Sequence, residues 1–249
     1  MLDLVGRAAT GQDEADALAP RLAAIAKGNF LSDGDVRRAL VAGWEAVVNH
    51  LLDASALDTR NEKALLAFKD RFGLSQDELN QHGAFSRAVK AALLRDLLEG
   101  KLPDTAELSR SAPFNLQKDE NLIYLFWNVR YLEDKSRTRY VGGSHGVSVR
   151  VMKGVYYRVG AFKGNPVRTT QRMQVDTGTL GVTNKHVYFC GPSKTFRVRH
   201  DKIVSFIPFG DGAGIVRDAS TAKPQIFVTG DGWFTYNLLT NAARLSARN

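Results

Sequence analysis

The first hundred residues carry apolar positions at the spacing of amphipathic helices. Val36, Leu40, Trp44, Val48 and Leu51 recur every three or four residues, which places them on one face of a helix of about five turns. Further stretches with this spacing are residues 18–25, 65–72 and 85–97. Because strands would alternate apolar and polar residues instead, this pattern predicts an all-helical N-terminal half.

Capping signals support these helices. Thr59 and Glu62 fit a capping box, in which the hydroxyl accepts from the backbone amide of the acid and the acid reaches back. Ser75 and Glu78 repeat this pattern and predict the start of a short helix. Gly73 fits the left-handed position that ends many helices.

Helical spacing disappears after residue 117, and β-branched and aromatic residues become frequent. Short apolar runs bounded by turn residues predict antiparallel strands. The predicted strands are 122–131, 148–159, 168–175, 179–183, 186–190, 195–198, 203–208, 214–217 and 225–228. Helical spacing returns at the end, where Phe234, Leu238, Ala242 and Leu245 share one face.

These patterns predict an α+β protein with two domains. Residues 1–112 form the helical domain, and residues 113–249 form a bent antiparallel β-sheet or barrel with a C-terminal capping helix. Residues 101–117 contain Pro103 and Pro113 without sustained periodicity, which predicts a linker.

Charge is divided unevenly between the two halves. Residues 1–112 hold 14 Lys and Arg against 17 Asp and Glu, whereas residues 113–249 hold 20 against 9. The net charges are −3 and +11, so the whole positive excess of the chain lies in the β-rich half. A surface of this sign attracts phosphate-rich partners, either anionic lipid or nucleic acid.

The sequence lacks the motifs of catalytic and metal sites. No nucleophile motif and no glycine-rich nucleotide loop is present, and the five histidines share no metal-ligand spacing with one another or with Cys190. We therefore expect a protein that is not an enzyme and that uses no metal or other cofactor.

The cysteine count and the lengths of the apolar stretches indicate the cellular compartment. Cys190 is the only cysteine, so no intrachain disulfide can form, and its apolar neighbours predict a buried position. The acidic start of the chain differs from an export signal, and no stretch approaches the roughly 20 apolar residues of a bilayer span. We expect a cytoplasmic protein that can lie peripherally at the inner face of the membrane.

One hairpin resembles a known family. Gly178-Thr179-Leu180-Gly181-Val182-Thr183-Asn184-Lys185, followed by His186-Val187-Tyr188-Phe189, resembles the hairpin of the GRAM branch of the pleckstrin-homology superfold. Lys202-Ile203-Val204-Ser205 resembles the next short strand, and Phe227 before Gly230-Asp231 resembles the entry to the last helix. The resemblance covers about residues 120–247 and implies a bacterial pleckstrin-homology-like β domain. His186 departs from the pattern, in which Arg is commoner.

The helical half is similar to the TerB-like domain of tellurite-resistance proteins. The residues that carry this similarity are Asp33-Gly34-Asp35 at a helix start and Phe72-Gly73-Leu74-Ser75 between helices. The similarity implies a role in bacterial stress or antiviral defence, with a protein partner bound by the helical domain.

Basic residues cluster behind the first predicted strand. Phosphoinositide-binding pleckstrin-homology domains carry a basic pattern in the loop between their first two strands, so the resemblance implies that Lys135, Arg137 and Arg139 bind phosphate. The next predicted strand and its ends extend this patch with Lys153, Arg158 and Lys163. The alternative is a solvated basic edge that discourages aggregation.

Three functions fit these observations. The first is a membrane adaptor whose β domain binds anionic lipid headgroups. The second is a protein-interaction module or homo-oligomer without a lipid role, since such folds also bind peptides along a sheet edge. Either Phe126 or Trp127 must face away from the core, and it would suit such contacts. The third is nucleic-acid binding, which ranks last because no recognition helix or RNA-binding strand motif is present.

Overall fold

A computed structural model of the chain describes residues 2–12, 15–141, 147–152, 155–159, 165–220 and 222–247. For the strands between residues 136 and 170 it describes the backbone alone. The chain divides into two compact units, Met1–Asp104 and Thr105–Asn249. No helix in the described ranges is long and apolar enough to cross a bilayer.

The described part of the first unit is helical, as predicted. Its helices are α1 (Leu2–Ala9), α2 (Ala15–Gly28), α3 (Asp33–Asp53), α4 (Thr59–Arg71), α5 (Gln76–Leu79) and α6 (Ala84–Leu98). The apolar face of α3 is buried, because Leu40, Trp44 and Val48 pack into the core of this unit. The indole N–H of Trp44 donates to the Leu65 carbonyl at 3.1 Å, so the buried polar atom is satisfied.

Helix starts follow local side-chain chemistry. Ser75 and Glu78 form the predicted capping box of α5, in which Ser75 N donates to Glu78 at 2.8 Å and Glu78 N donates to Ser75 Oγ at 3.2 Å. The predicted box at Thr59 is wrong by one residue. Asp58 caps α4 by accepting from Asn61 N at 2.7 Å, since a carboxylate also complements the positive end of the helix dipole.

The second unit begins with a short helix and continues as a sheet. Its elements are α7 (Ala106–Ser111), β1 (Leu122–Val141), β2 (Val147–Met152), β3 (Val155–Val159), β4 (Asn165–Thr183), β5 (His186–Cys190), β6 (Thr195–Arg199), β7 (Ile203–Phe209), β8 (Gly212–Arg217), β9 (Gln225–Val228) and α8 (Gly232–Ser246). Helix α7 lies within residues 101–117, the segment predicted as a linker. Cys190 is half-buried rather than buried.

Seven antiparallel strands form one sheet in the order β6-β5-β4-β1-β9-β8-β7. Among the described residues β6 and β7 are its two edges, so the sheet is open rather than a closed barrel. Helix α8 packs against β7 and β8 and buries Phe234, Leu238 and Leu245. The predicted α+β class, with helices first, an antiparallel sheet next and a C-terminal helix last, is confirmed.

Two strands are longer than predicted. β1 continues ten residues beyond Tyr131, and β4 joins two predicted strands into one. The pairing of β1 with β9 ends at Glu133, so residues 134–141 pair with residues 165–172 of β4 alone. β2 and β3 lie between these two stretches in sequence and form a separate two-stranded sheet. We call residues 134–172 the basic ribbon.

A bulge in β1 turns an aromatic side chain outward. The register of β1 shifts between Phe126 and Val129, and Asn128 has a left-handed φ of 55°. Phe126 is buried, whereas Trp127 is 56% exposed. The prediction that one of the two aromatic residues faces away from the core is therefore confirmed.

Candidate functional site

An open cavity of about 890 Å³ lies at the end of the seven-stranded sheet where β5 begins and β6 ends. We call it the basic cavity, because its lining combines five cationic side chains with one carboxylate. The cations are Lys185, Arg197, Arg199, Lys202 and Arg217, and the carboxylate is Asp201.

Strand pairing gathers these cations from separate parts of the chain. Arg197 and Arg199 occupy alternate positions of β6, which puts both on the same side of the strand. Lys185 lies in the turn between β4 and β5. Lys202 precedes β7, whose first residue is paired with Arg217 at the end of β8.

Most of this charge is uncompensated. Arg199 is paired with Asp201, with Nη2 and Oδ2 2.8 Å apart. Among the described residues Arg197, Lys202 and Arg217 have no carboxylate within ion-pair distance. A cavity with several unpaired cations and one engaged carboxylate favours an anionic occupant.

A buried carboxylate is hydrogen-bonded to two residues that line the basic cavity, Gln117 and His186. Glu120 is 8% exposed and accepts four hydrogen bonds. Its Oε1 accepts from Thr183 Oγ1 at 2.5 Å and from His186 Nδ1 at 2.9 Å. Its Oε2 accepts from Tyr188 Oη and from Gln117 N, both at 2.8 Å. We call these five residues the Glu120 cluster.

Protonation in the Glu120 cluster follows from these contacts. Burial by itself would raise the pKa of Glu120, but hydrogen bonds from Thr183, Gln117, His186 and Tyr188 outweigh it and hold the pKa below its ordinary value. Burial, together with the Glu120 carboxylate, raises the pKa of Tyr188 to about 12. Near neutral pH the cluster therefore contains an ionised Glu120 and a protonated Tyr188.

Histidine tautomers can be assigned in the same way. A carboxylate only accepts, so His186 carries a proton on Nδ1, and His186 also lines the basic cavity. His200 is buried and donates from Nε2 to the Thr183 carbonyl at 2.8 Å. Its Nδ1 has no hydrogen-bond partner in the described part of the chain, and burial lowers its pKa, so His200 is neutral near pH 7.

Several residues of the hairpin Gly178–Phe189 pack or form hydrogen bonds around the Glu120 cluster. Thr183 Oγ1 accepts from His186 N at 2.8 Å, which closes the turn between β4 and β5. Gly181 leaves room for the Phe114 ring, since a Cβ there would lie 2.6 Å from it. Phe114 stacks on Tyr188 with ring centroids 5.0 Å apart. These hairpin residues therefore have structural roles.

The residues predicted to bind phosphate lie elsewhere, on the basic ribbon. Lys135 is exposed and is paired with Gln171 in the β1–β4 register. Arg137 and Arg139 follow at alternate positions of the same strand. Lys135, Arg137 and Arg139 lie within β1 rather than in the predicted loop, because β1 and β4 stay paired up to Val141.

The remaining predicted residues are partly described. Arg158 lies on β3, paired with Ser148, whereas Lys153 and Lys163 lie outside the described residues. Sequence reasoning missed Arg168 and Arg172, which the β1–β4 register places opposite the predicted cluster. The Nε of Arg172 lies 3.3 Å from Oδ1 of Asp134.

The basic ribbon holds the entire charge excess of the chain. Residues 134–172 contain nine Lys and Arg and a single acidic residue, Asp134. Taking these away from the 34 cations and 26 acids of the chain leaves 25 of each. Basic residues are thus concentrated at two places in this unit, the basic cavity and the basic ribbon.

Comparison with known proteins adds little to this description. No family model matches the chain, and no curated protein matches it. Among solved structures, a chain of the complex between the PDZ-RhoGEF DH/PH domains and GTP-gamma-S-activated RhoA is similar over 87% of this chain, with 12% identity and a TM-score of 0.26. The match spans 57% of that chain's length. None of these comparisons supports the similarity of the helical half to TerB-like domains.

Proposed function

We propose that this chain is a non-enzymatic adaptor that attaches to anionic membrane surfaces through the basic ribbon. The observation that carries the proposal is the charge of that segment, nine cations against one acid, while the rest of the chain is neutral. The ribbon therefore carries the net attraction of the chain to a phosphate-rich surface, which orients the chain as it approaches.

The register of β2 and β3 supports a membrane rather than another polyanion. The pairs Val147–Val159 and Val149–Tyr157 alternate with Ser148–Arg158 and Arg150–Tyr156. Successive positions of a strand belong to opposite sides of a sheet, so one side of this hairpin is apolar and the other is basic. A two-stranded sheet by itself gains little stability in water, so a partner surface that accepts this arrangement would stabilise it.

An anionic bilayer offers a partner for each of these two sets of residues. Its interfacial region accepts apolar residues, and its headgroups neutralise the nine cations of the ribbon. A nucleic acid offers phosphates but no apolar surface of comparable extent. The ribbon of a second copy would bring the same net charge of +8 and would be repelled.

The remaining parts of the chain fit an adaptor. The order of helices, antiparallel sheet and C-terminal helix agrees with the pleckstrin-homology-like resemblance of the hairpin Gly178–Phe189. Residues 1–104 hold 13 Lys and Arg against 16 Asp and Glu, so this unit is not attracted to an anionic surface. We assign to it the binding of a protein partner, with the whole chain peripheral to the membrane.

Co-sedimentation of the full chain with vesicles tests the proposal. We expect binding to phosphatidylcholine vesicles only when they contain phosphatidylglycerol, and weaker binding as salt increases. Arg137→Glu with Arg139→Glu should weaken binding by roughly thirtyfold or more, because each cation near the surface contributes about 1 kcal/mol. The matched control, Arg197→Glu with Arg199→Glu, changes the net charge equally and should bind normally.

Two results would reject the membrane proposal. One is equal loss of vesicle binding in the two double variants, which would mean that net charge alone matters. The other is a gel shift with duplex DNA or RNA that depends on Arg137 and Arg139 while the vesicles stay unbound. That pattern would make the ribbon a nucleic-acid arm.

Exposed tryptophans favour a second candidate, self-association. Trp127 and Trp233 are 56% and 66% exposed, and they adjoin Phe126 and Phe234, whose ring centroids are 5.8 Å apart. Exposed tryptophan side chains are typical of protein interfaces. Sedimentation equilibrium of the full chain should reveal a dimer that Trp127→Ser with Trp233→Ser dissociates. A monomeric wild-type chain excludes this candidate.

A further inference from the structure

We infer that the basic cavity is a binding site for a soluble small molecule with two or more phosphate groups, separate from the membrane contact of the ribbon. Its cations come from four places in the fold: the β4–β5 turn, β6, the turn before β7 and the end of β8. The site therefore exists only in the folded unit.

The lining matches the chemistry of phosphate. Arg197 and Arg217 offer guanidinium groups, whose planar donors pair with phosphate oxygens, and Lys202 adds a mobile point charge. No carboxylate is within ion-pair distance of these three cations in the described part of the chain. The buried His186 adds a ring whose Nδ1 is already engaged by Glu120, which fixes its orientation at the cavity wall.

The size of the cavity indicates more than one phosphate group. About 890 Å³ is near the upper end of the range for small-molecule sites, roughly 300–1,000 Å³. A single phosphate ion would contact only part of such a lining. A chain of phosphates, or a small molecule carrying several, can reach Arg197, Lys202 and Arg217 at once.

The composition of the lining favours a soluble ligand over a lipid headgroup. Among the described residues that line the cavity, Val198 is the one large apolar residue, and it is buried. A site that takes a headgroup from a bilayer needs exposed apolar residues beside it for the interfacial region of the membrane. The lining of the basic cavity offers cations instead.

Isothermal titration of the full chain with sodium tripolyphosphate tests the inference. We expect saturable binding by one site per chain. Lys202→Ala and Arg217→Ala, at two exposed positions, should each weaken the affinity by roughly tenfold or more, as expected for a lost charged hydrogen bond. Lys194→Ala, an exposed lysine in the β5–β6 turn that does not line the cavity, should leave the affinity unchanged.

The ribbon variants separate this inference from the proposed function. Arg137→Glu with Arg139→Glu should keep the affinity for tripolyphosphate while losing vesicle binding. Lys202→Ala with Arg217→Ala should do the reverse. In the wild-type chain, tripolyphosphate should also shift the imidazole NMR signals of His186, which lines the cavity, and this readout does not depend on a substituted chain.

Several results would overturn the inference. These are no saturable binding of tripolyphosphate, an equal effect of Lys194→Ala, or binding without a shift at His186. One more result would overturn it by making the ligand a lipid headgroup. In that case the wild-type chain would not bind tripolyphosphate, and Lys202→Ala with Arg217→Ala would lose binding to phosphatidic acid vesicles.

Discussion

Replacement of Glu120 by Ala removes the acceptor of four hydrogen bonds from a buried position. The donors left behind are Thr183 Oγ1, His186 Nδ1, Tyr188 Oη and Gln117 N. Each bond contributes about 1 kcal/mol, so the free energy of unfolding should fall by about 4 kcal/mol.

Glu120→Gln is the sharper variant, because it keeps the shape of the side chain. Each carboxylate oxygen of Glu120 accepts two hydrogen bonds, and the amide of Gln replaces one oxygen with a group that donates. Two of the four bonds are then lost, and we expect a loss of about 2 kcal/mol. The order of stability should be wild type, then Glu120→Gln, then Glu120→Ala.

The effect of pH on these variants has a definite sign. The pKa of Glu120 is held below its ordinary value of 4.5, so the folded chain binds this proton less readily than the unfolded chain. The stabilisation by Glu120 is present above pH 4.5 and is lost as the pH falls through the lower pKa of the folded state. The difference between wild type and Glu120→Gln should therefore shrink in acid.

Urea denaturation, monitored through the hydrogen exchange of amides 179–190, measures these stability differences in the second unit alone. Asp119→Asn is the matched control, because Asp119 is the neighbouring acid, is exposed and has a left-handed φ of 59° that Asn tolerates. The control should change stability by less than about 0.5 kcal/mol. Equal stability of Glu120→Ala and this control would refute the role assigned to the Glu120 cluster.

Two further predictions concern the surroundings of the Glu120 cluster. Gly181→Ala would place its Cβ 2.6 Å from the Phe114 ring, and the free energy of unfolding in urea should fall by about 1–3 kcal/mol. Adding Phe114→Ala to this variant should restore part of that loss. A single variant as stable as the wild type would contradict the close packing. Burial lowers the pKa of His200, so the unfolded chain binds a proton on this residue more readily than the folded chain does. The melting temperature of the wild-type chain should therefore decrease as the pH is lowered from about 7.5 to about 5.5. His200→Gln should show a shallower fall over this range, and an unchanged slope would mean that other groups cause it.

Local chemistry was predictable wherever a short stretch of sequence decides the outcome. The stripe of α3, the capping box at Ser75 and the strand His186–Cys190 all follow from residues within a few positions of one another. The cap of α4 shows the limit, because Asp58 and Thr59 are both good caps and the difference between them is about 1 kcal/mol or less.

Strand lengths were less predictable, for a physical reason. β1 extends through Lys135, Arg137 and Arg139, residues that have no strong strand preference, since its hydrogen bonds to β4 hold the backbone extended. The length of this strand thus depends on a partner strand whose paired residues lie 28 to 36 positions away in sequence. Neighbouring residues in the sequence therefore do not indicate where the strand ends.

The sequence by itself determined the order of helices and strands, the α+β class and the excess of positive charge in the second half, because periodicity and composition are properties of neighbouring residues. Only the tertiary structure decided where that charge lies. Strand pairing brings Lys185, Arg197, Lys202 and Arg217 around one cavity, and the long β1–β4 pairing isolates the ribbon. It also buries Glu120, which has no distinguishing pattern in the sequence, because three of its four donors lie on the hairpin of β4 and β5, some 60 residues away in sequence.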